Sequence, residues 1–311
     1  MIDVILPLLI LLAIGAGLSY KNILQPEHIQ ALGDYVLKVS LPIFLFHVLA
    51  TRHIYEIWQP SYLFWFALVS LIIFTLAFVA CHFLLNLQKS HSAIFALGAS
   101  MSNTGFIGVG ILPLILGQKS GIYLSLTLMI ESALLLPLAL ILTELFGRQI
   151  AAYKILIQIA NIIVKNPIIM AIILGVVVAI LDISLPPAID QSLKPIGQTA
   201  SPVALLVIGA RLLQIRLTDF NQLNLMLSTL KIIIMPLLML SVFLLAPNTN
   251  REMTIAAFVL STLPMTVTYS LFAQSYHLGK KAVASLLTSM LFWVVLGGGY
   301  LYLIERIIDA P

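Results

Sequence analysis

Ten apolar runs, most of them long enough to cross a lipid bilayer, constrain this chain more than any other feature. They end at prolines, glycines or charged residues and leave only short connections. A membrane-spanning helix needs ~20 predominantly apolar residues, so 311 residues hold about ten of them with little left over. The predicted spans are 3–20, 32–50, 61–86, 92–117, 121–146, 167–182, 199–214, 223–246, 253–276 and 282–304.

The low charge content indicates the same class of protein. Hydrophobic residues make up 61% of the chain and charged residues 9%, whereas soluble domains average about 25% charged residues. The first run starts at Ile2 with neither a basic segment nor a small-residue cleavage site, which predicts a retained helix and not a signal peptide. Cys81 is the single cysteine, so an internal disulfide and a cysteine-based zinc site are excluded. The predicted fold class is an all-α polytopic membrane protein, with no cofactor and no metal site.

The chain repeats itself at an offset of 160 residues. The matching pairs are Pro7 with Pro167, Gly15 with Gly175, Pro26 with Pro186, Pro42 with Pro202, and Ala50 with Ala210. Each half then holds five spans, and an odd number forces the two copies into opposite orientations. We therefore predict an inverted five-plus-five repeat, with residues 1–147 and 148–311 as its two halves.

The distribution of Lys and Arg predicts the orientation in the membrane. One side carries nine, namely Lys21, Lys89, Arg148, Lys154, Lys165, Arg211, Arg216, Lys280 and Lys281, and the other carries five, namely Arg52, Lys119, Lys194, Arg251 and Arg306. Because positive loops stay in the cytoplasm, both termini are predicted to be extracytoplasmic.

The remaining two basic residues, Lys38 and Lys231, are interpreted as lying near span ends, where a long side chain reaches the interface. Asp34 precedes Lys38 by one helical turn, which predicts a local ion pair.

Spans 4 and 9 are each interrupted by polar residues. The break in span 4 centres on Asn103, and the break in span 9 centres on Pro264. Unpaired backbone groups cost several kcal/mol in hydrocarbon, so a span unwinds only where protein or a water-filled cavity satisfies it. The repeat places the two breaks in equivalent positions, and we predict that the broken helices cross near the midplane. Half-helix N-termini carry partial positive charge there and favour an anion such as a small carboxylate. The predicted substrate-binding residues are Asn103, Thr104, Gly105, Pro264, Met265 and Thr266.

A simpler interpretation of these breaks stays open. Gly105, Gly108 and Gly110 would then only allow close helix packing, and Pro264 would be an ordinary transmembrane kink.

Glu131, in the middle of span 5, is the second candidate for function. A carboxylate at that depth is costly and often marks an ion pathway, so Glu131 is predicted to couple transport to H⁺ or Na⁺. The alternative is a structural glutamate that is hydrogen-bonded to a neighbouring helix.

The chain lacks His-Glu-x-x-His, Gly-x-Ser-x-Gly and P-loop motifs, so no enzyme activity is predicted. Basic residues are dispersed, so no nucleic-acid partner is expected.

Several segments together resemble the auxin efflux carrier family, which includes PIN-type auxin transporters and bacterial malonate carriers. The segments are Ser40 to Phe46, Ser102 to Gly108, Asn166-Pro167 with Gly175, Ala200 to Leu206 with Gly209-Ala210, and Leu263-Pro264 followed by Leu271-Phe272-Ala273 and Tyr276. The resemblance covers the whole chain. It matches Asn103 to the family's crossover asparagine and Pro264 to its crossover proline.

The resemblance implies a fold similar to bile-acid symporters and sodium/proton antiporters. Spans 1, 2, 6 and 7 would form a scaffold, and spans 3–5 and 8–10 would form a transport unit that moves against it. The implied function is secondary transport of a small organic anion, such as malonate, malate or an auxin-like acid, by elevator-type alternating access. Ser102 stands where PIN proteins usually have proline, and the long loop between their halves is missing. These departures favour a carboxylate carrier of a bacterial inner membrane.

Two other functions fit the same fold. A membrane-embedded sensor would bind its ligand without moving it, although the short loops leave no room for an output domain. A channel would conduct far faster than a carrier. A homodimer also stays open, because apolar surfaces that face lipid and those that face a partner look alike in sequence.

Overall fold

The computed structural model describes residues 2–147, 157, 160, 164–212, 221–274 and 276–309. Arg148, Lys154 and Arg216, which enter the orientation argument, lie outside them. Five helices of this part of the chain are long and apolar enough to cross a membrane, namely Pro26–Ala50, Ile54–Leu84, Thr104–Gly147, Gln222–Leu245 and Gly279–Tyr300. Ile10–Tyr20 and Pro167–Ile180 are shorter apolar helices. The protein is therefore an all-helical, polytopic membrane protein, whereas the ten-span inverted repeat stays a prediction.

The helices of the first half are α1 (Ile2–Tyr20), α2 (Pro26–Tyr35), α3 (Leu41–Ala50), α4 (Ile54–Ile57), α5 (Pro60–Val79), α6 (Lys89–Ser100), α7 (Val109–Leu116), α8 (Ser120–Ile130) and α9 (Leu136–Gly147). Those of the second half are α10 (Pro167–Ile180), α11 (Pro187–Gln198), α12 (Ala200–Leu212), α13 (Gln222–Thr229), α14 (Met235–Leu245), α15 (Arg251–Thr262), α16 (Val267–Gln274) and α17 (Gly279–Asp309).

Short π-helical turns interrupt or extend several of these helices. They are Val36–Ser40, Ala80–Leu84, Thr104–Gly108, Glu131–Leu135 and Leu230–Ile234. A π-turn holds one residue more than the α-helical turn it replaces, and such turns are frequent at functional sites. Three of the five contain or directly follow residues that are described below as part of the candidate site.

By their contacts, the residues of the chain fall into two compact units. The first consists of Met1–Pro60, Thr104–Met129 and Val164–Gln214, and the second of Ser61–Asn103, Ile130–Ile163 and Ile215–Pro311. Spans 1, 2, 6 and 7 thus share the first unit with Thr104–Met129. The assignment of spans 1, 2, 6 and 7 as scaffold and of spans 3–5 and 8–10 as moving unit stays a prediction.

Inside the first unit, glycines bring two pairs of helices into close contact. α1 packs on α12, and α10 packs on α3. A Cβ added at Gly15 would lie 2.1 Å from the Leu206 carbonyl oxygen, and one added at Gly175 would lie 3.0 Å from the Phe46 carbonyl oxygen. Gly15 and Gly175 are 160 residues apart, and so are Phe46 and Leu206. The sequence offset therefore recurs in the packing.

The two lysines that are predicted to lie near span ends differ in exposure in the structure. Lys38 forms the predicted ion pair with Asp34, 2.8 Å between Nζ and Oδ2, and both side chains are exposed. The prediction for Lys231 is wrong, because its side chain is 0% exposed and lies inside the second unit.

Candidate functional site

Within the second unit, the two predicted breaks lie side by side. α6 ends at Ser100 and α15 ends at Thr262, and extended residues follow both helix ends. Ser102 and Met265 form an antiparallel bridge. The Asn103 N–H donates to the Pro264 carbonyl oxygen at 2.8 Å. We call residues 101–103 and 263–266 the linker pair. Unwound backbone at membrane depth requires such partners, and this bond satisfies one group of each segment.

A serine side chain joins the linker pair to the last helix. The Met265 N–H donates to Ser289 Oγ on α17 at 3.1 Å, and Ser289 Oγ donates to the Leu286 carbonyl oxygen at 2.7 Å. Pro264 has no N–H, so this position of the linker pair needs no hydrogen-bond acceptor.

Two charged side chains converge on Ser102 from different helices. The Ser102 N–H donates to Glu131 Oε1 at 2.8 Å, and Lys231 Nζ donates to Ser102 Oγ at 2.6 Å. Glu131 is 2% exposed and Lys231 is 0% exposed. An isolated charge at such a place is very costly, but charges of opposite sign that are also hydrogen-bonded offset much of that cost. The linker pair is therefore held between a carboxylate and an ammonium group.

Lys231 also contacts the end of α15, just before the second segment of the linker pair. Its Nζ donates to the Ser261 carbonyl oxygen at 3.3 Å and lies 3.0 Å from Met235 Sδ. Ser261 is in the last turn of α15, where carbonyl groups lack intrahelical partners. A single ammonium group thus bonds to both broken helices.

Asn103 has a buried amide without a hydrogen-bond partner. The residue is 1% exposed, and neither Oδ1 nor Nδ2 has a partner among the described residues. A buried polar group left without a partner costs about 1–3 kcal/mol. In folded proteins such a group generally meets an ordered water, an ion or a ligand, or has a catalytic role. The amide offers two donors and one acceptor oxygen, which suit a carboxylate or an ordered polar ligand.

The other predicted binding residues have distinct surroundings. Thr266 accepts a hydrogen bond from the Thr268 N–H at 3.3 Å and so caps the start of α16. Thr104 is buried and belongs, with Gly105, to the first unit. A Cβ at Gly105 would lie 3.3 Å from side-chain carbons of Leu37 and Leu41, and one at Gly110 would lie 2.8 Å from Leu205. The close-packing interpretation therefore fits these two glycines, and the predicted contact of Gly105 with substrate stays a prediction.

Lys231 is the residue of this cluster that the sequence interpretation missed. Lys231 lies nine residues after the start of α13, and a long apolar run follows it in the sequence. This distance from both span ends is the sequence signal that could have identified Lys231 as a buried residue. A charged side chain so deep in a span faces protein more readily than it reaches the interface.

The first unit contains a separate cavity of about 510 Å³, which is lined by apolar residues and by several polar and charged side chains. His47 Nε2 and Asp190 Oδ1 share a hydrogen bond of 2.7 Å at its wall, and Arg52 and Lys194 also line it. None of the predicted binding residues lines this cavity. Sequence analysis did not single out its residues, since they lie in connections and span ends where polar side chains are ordinary.

Paired, unwound linkers around buried polar groups in a helical membrane protein are typical of transporters. The chain belongs to the family described as membrane transport protein, which it matches over residues 1–297. This confirms the resemblance to the auxin efflux carrier family.

Two curated bacterial relatives are transporters by name. The "Uncharacterized transporter YfdV" of Escherichia coli K12 is 24% identical over 98% of both chains. The "Putative malonate transporter" of Rhizobium meliloti is 22% identical over 88% of this chain and 86% of its own.

Proposed function

We propose that this protein is a secondary transporter that moves a small organic anion by elevator-type alternating access. The proposed substrates are small carboxylates such as malonate, malate or an auxin-like acid. The name of the Rhizobium meliloti relative supports malonate as the first compound to test. The proposed binding residues are Asn103, Thr104, Gly105, Pro264, Met265 and Thr266. Glu131 is the proposed coupling residue, with H⁺ and Na⁺ as the two candidate ions.

The buried amide of Asn103 supports a binding site more than any other observation. Neither Nδ2 nor Oδ1 has a partner in the described part of the chain, although the residue is 1% exposed. A bound carboxylate would accept from Nδ2 and thereby recover part of the desolvation cost. The start of α16 lies next to the linker pair and contributes the partial positive charge of a helix N-terminus.

We further propose the inverted five-plus-five architecture, with spans 1, 2, 6 and 7 as scaffold and spans 3–5 and 8–10 as the moving unit. The glycine contacts at Gly15 and Gly175 support it, because both the glycines and their partner residues are 160 residues apart. The proposed location is a bacterial inner membrane with both termini extracytoplasmic. The Lys and Arg distribution and the bacterial sources of the relatives support that location.

The test combines ligand binding with exchange. A thermal-shift screen of small carboxylates on the purified protein identifies a ligand, because a compound that binds the folded state raises its melting temperature. Counterflow of that radiolabelled carboxylate, with malonate as the first compound, is then measured in proteoliposomes. Asn103→Ala is expected to abolish counterflow while leaving the melting temperature unchanged or higher, since it removes an unpaired buried amide.

Asn224→Ala is the matched control. Asn224 is also buried, but its Oδ1 accepts from Ser285 Oγ at 2.7 Å. Its loss is expected to lower the melting temperature because Ser285 loses a partner. Normal counterflow by Asn103→Ala would refute the proposed site. Binding without any exchange by the wild-type protein would identify a sensor instead of a carrier.

A further inference from the structure

The Lys231 ammonium group lies in the kind of surroundings that transporters provide for a cation. It touches a hydroxyl oxygen on one broken helix and a main-chain carbonyl oxygen on the other, at 2.6 Å from Ser102 Oγ and 3.3 Å from Ser261 O. In transporters with broken helices, the carbonyl ends of half-helices and unwound backbone coordinate the coupling ion. Ser261 lies at such a carbonyl end.

The negative charge that would attract a cation is also present. Glu131 Oε1 accepts a hydrogen bond from the Ser102 N–H at 2.8 Å. The Lys231 ammonium group donates to Oγ of the same serine, so both charged groups contact one residue. Both side chains are almost completely buried. The linker pair therefore brings together one anionic group and one covalently attached cation.

We propose that Lys231 is a tethered cation, which takes the place at the linker pair that a bound Na⁺ would otherwise occupy. This inference rests on the transport function proposed above and decides between its two coupling ions. A covalently held charge cannot be released to either side of the membrane. Substrate binding and exchange therefore require no Na⁺, and the partial positive charge at the start of α16 stays available to the anionic substrate.

The proposal predicts that removing the lysine creates a site for a free cation. Lys231→Ala removes the charge and opens space, whereas Lys231→Met removes the charge but fills the space with a side chain of similar length. Lys38→Met is the matched control, because Lys38 lies on a membrane helix but is exposed and pairs only locally with Asp34.

Melting temperatures are measured at equal ionic strength in choline, sodium, potassium, methylammonium or propylammonium chloride. We expect the wild-type protein and Lys38→Met to melt at the same temperature in all five salts. Lys231→Ala should melt roughly 5–10 °C lower in choline, because Glu131 loses its counter-charge. Sodium or one of the small ammonium ions should restore at least half of that loss. Lys231→Met should be destabilised and should not be restored.

Two results would overturn the proposal. One is a wild-type protein whose melting temperature already depends on Na⁺. The other is a Lys231→Ala variant that none of the cations stabilises beyond choline. Neither measurement involves a carboxylate, so both are independent of the proposed transport function. That function fails separately, if the wild-type protein neither binds nor exchanges any carboxylate.

An exchange measurement adds the functional consequence. Wild-type counterflow of the carboxylate found in the thermal-shift screen should be equal in sodium and in choline. Lys231→Ala should be inactive in choline and should regain counterflow, at least about fivefold, in the cation that restores its melting temperature. Equal inactivity in every salt despite restored stability would contradict a role in transport.

Discussion

The contact between α1 and α12 allows a sharp test of how tightly this protein is packed. The test is Gly15→Ala, a change of a single methyl group. The new Cβ would lie 2.1 Å from the Leu206 carbonyl oxygen and 2.8 Å from its carbonyl carbon. Even close carbon–oxygen contacts in proteins are about 3.3–3.6 Å. The obstacle is backbone, so no side-chain rotation relieves it, and the two helices must separate by about 1 Å.

That displacement sets the size of the effect. A gap of 0.5–1 Å forfeits about a quarter to a half of the van der Waals attraction across a packed surface. Overpacking typically costs about 1–3 kcal/mol, and a rigid obstacle favours the upper end. Alanine recovers about 1 kcal/mol relative to glycine through its higher helix propensity. We expect a net loss of about 2 kcal/mol and a melting temperature lower by roughly 3 °C.

The same helix contains its own control, Gly17. A Cβ at Gly17 has nothing within 4 Å, so Gly17→Ala should be neutral or stabilising by up to about 1 kcal/mol. Both variants are measured by thermal unfolding of the purified protein in one detergent. The reasoning is refuted if Gly15→Ala melts at or above the temperature of the wild-type protein, or if the two alanine variants behave alike.

Two further predictions concern charge pairing and helix capping. Glu131→Gln and Lys231→Met should each destabilise the protein by about 3–5 kcal/mol, and the double variant by clearly less than the sum. Additive losses in a thermal-unfolding double-mutant cycle would mean that the two charges are independent. Asn166→Ala should cost about 1 kcal/mol, because Asn166 Oδ1 accepts from the N–H groups of Ile168 and Ile169 at the start of α10. An unchanged melting temperature would show that this cap contributes nothing.

The helical fold follows directly from the sequence, because apolar runs of this length bury their backbone only as helices. The two breaks were also predictable. Pro264 cannot donate a hydrogen bond, and the polar run at Asn103 is out of place in a span. The offset of 160 residues pointed to their pairing before any contact was known. Their side-by-side arrangement in the second unit then follows from the mutual need for hydrogen-bond partners.

The direction in which side chains point was not predictable in the same way. Hydropathy gives the depth of Lys231 in the membrane, but its direction depends on which helices pack around α13 and α14. The sequence also contains no signal for the partner of Ser102, since Glu131 and Lys231 come from distant helices. Nor does it show that the Asn103 amide stays unpaired, because that depends on every neighbour in the folded chain.

The π-helical turns have a consequence for how these helices are drawn and mutated. One additional residue advances a helix by about 100°, so the face that is buried before a π-turn is rotated away after it. The turns at Glu131–Leu135 and Leu230–Ile234 therefore each divide a membrane helix into two segments with different angular phase, whereas Thr104–Gly108 begins the helix that α7 continues. A single helical wheel misassigns one of the two segments. Scanning mutagenesis and cysteine labelling of these spans need a separate wheel on each side of the turn.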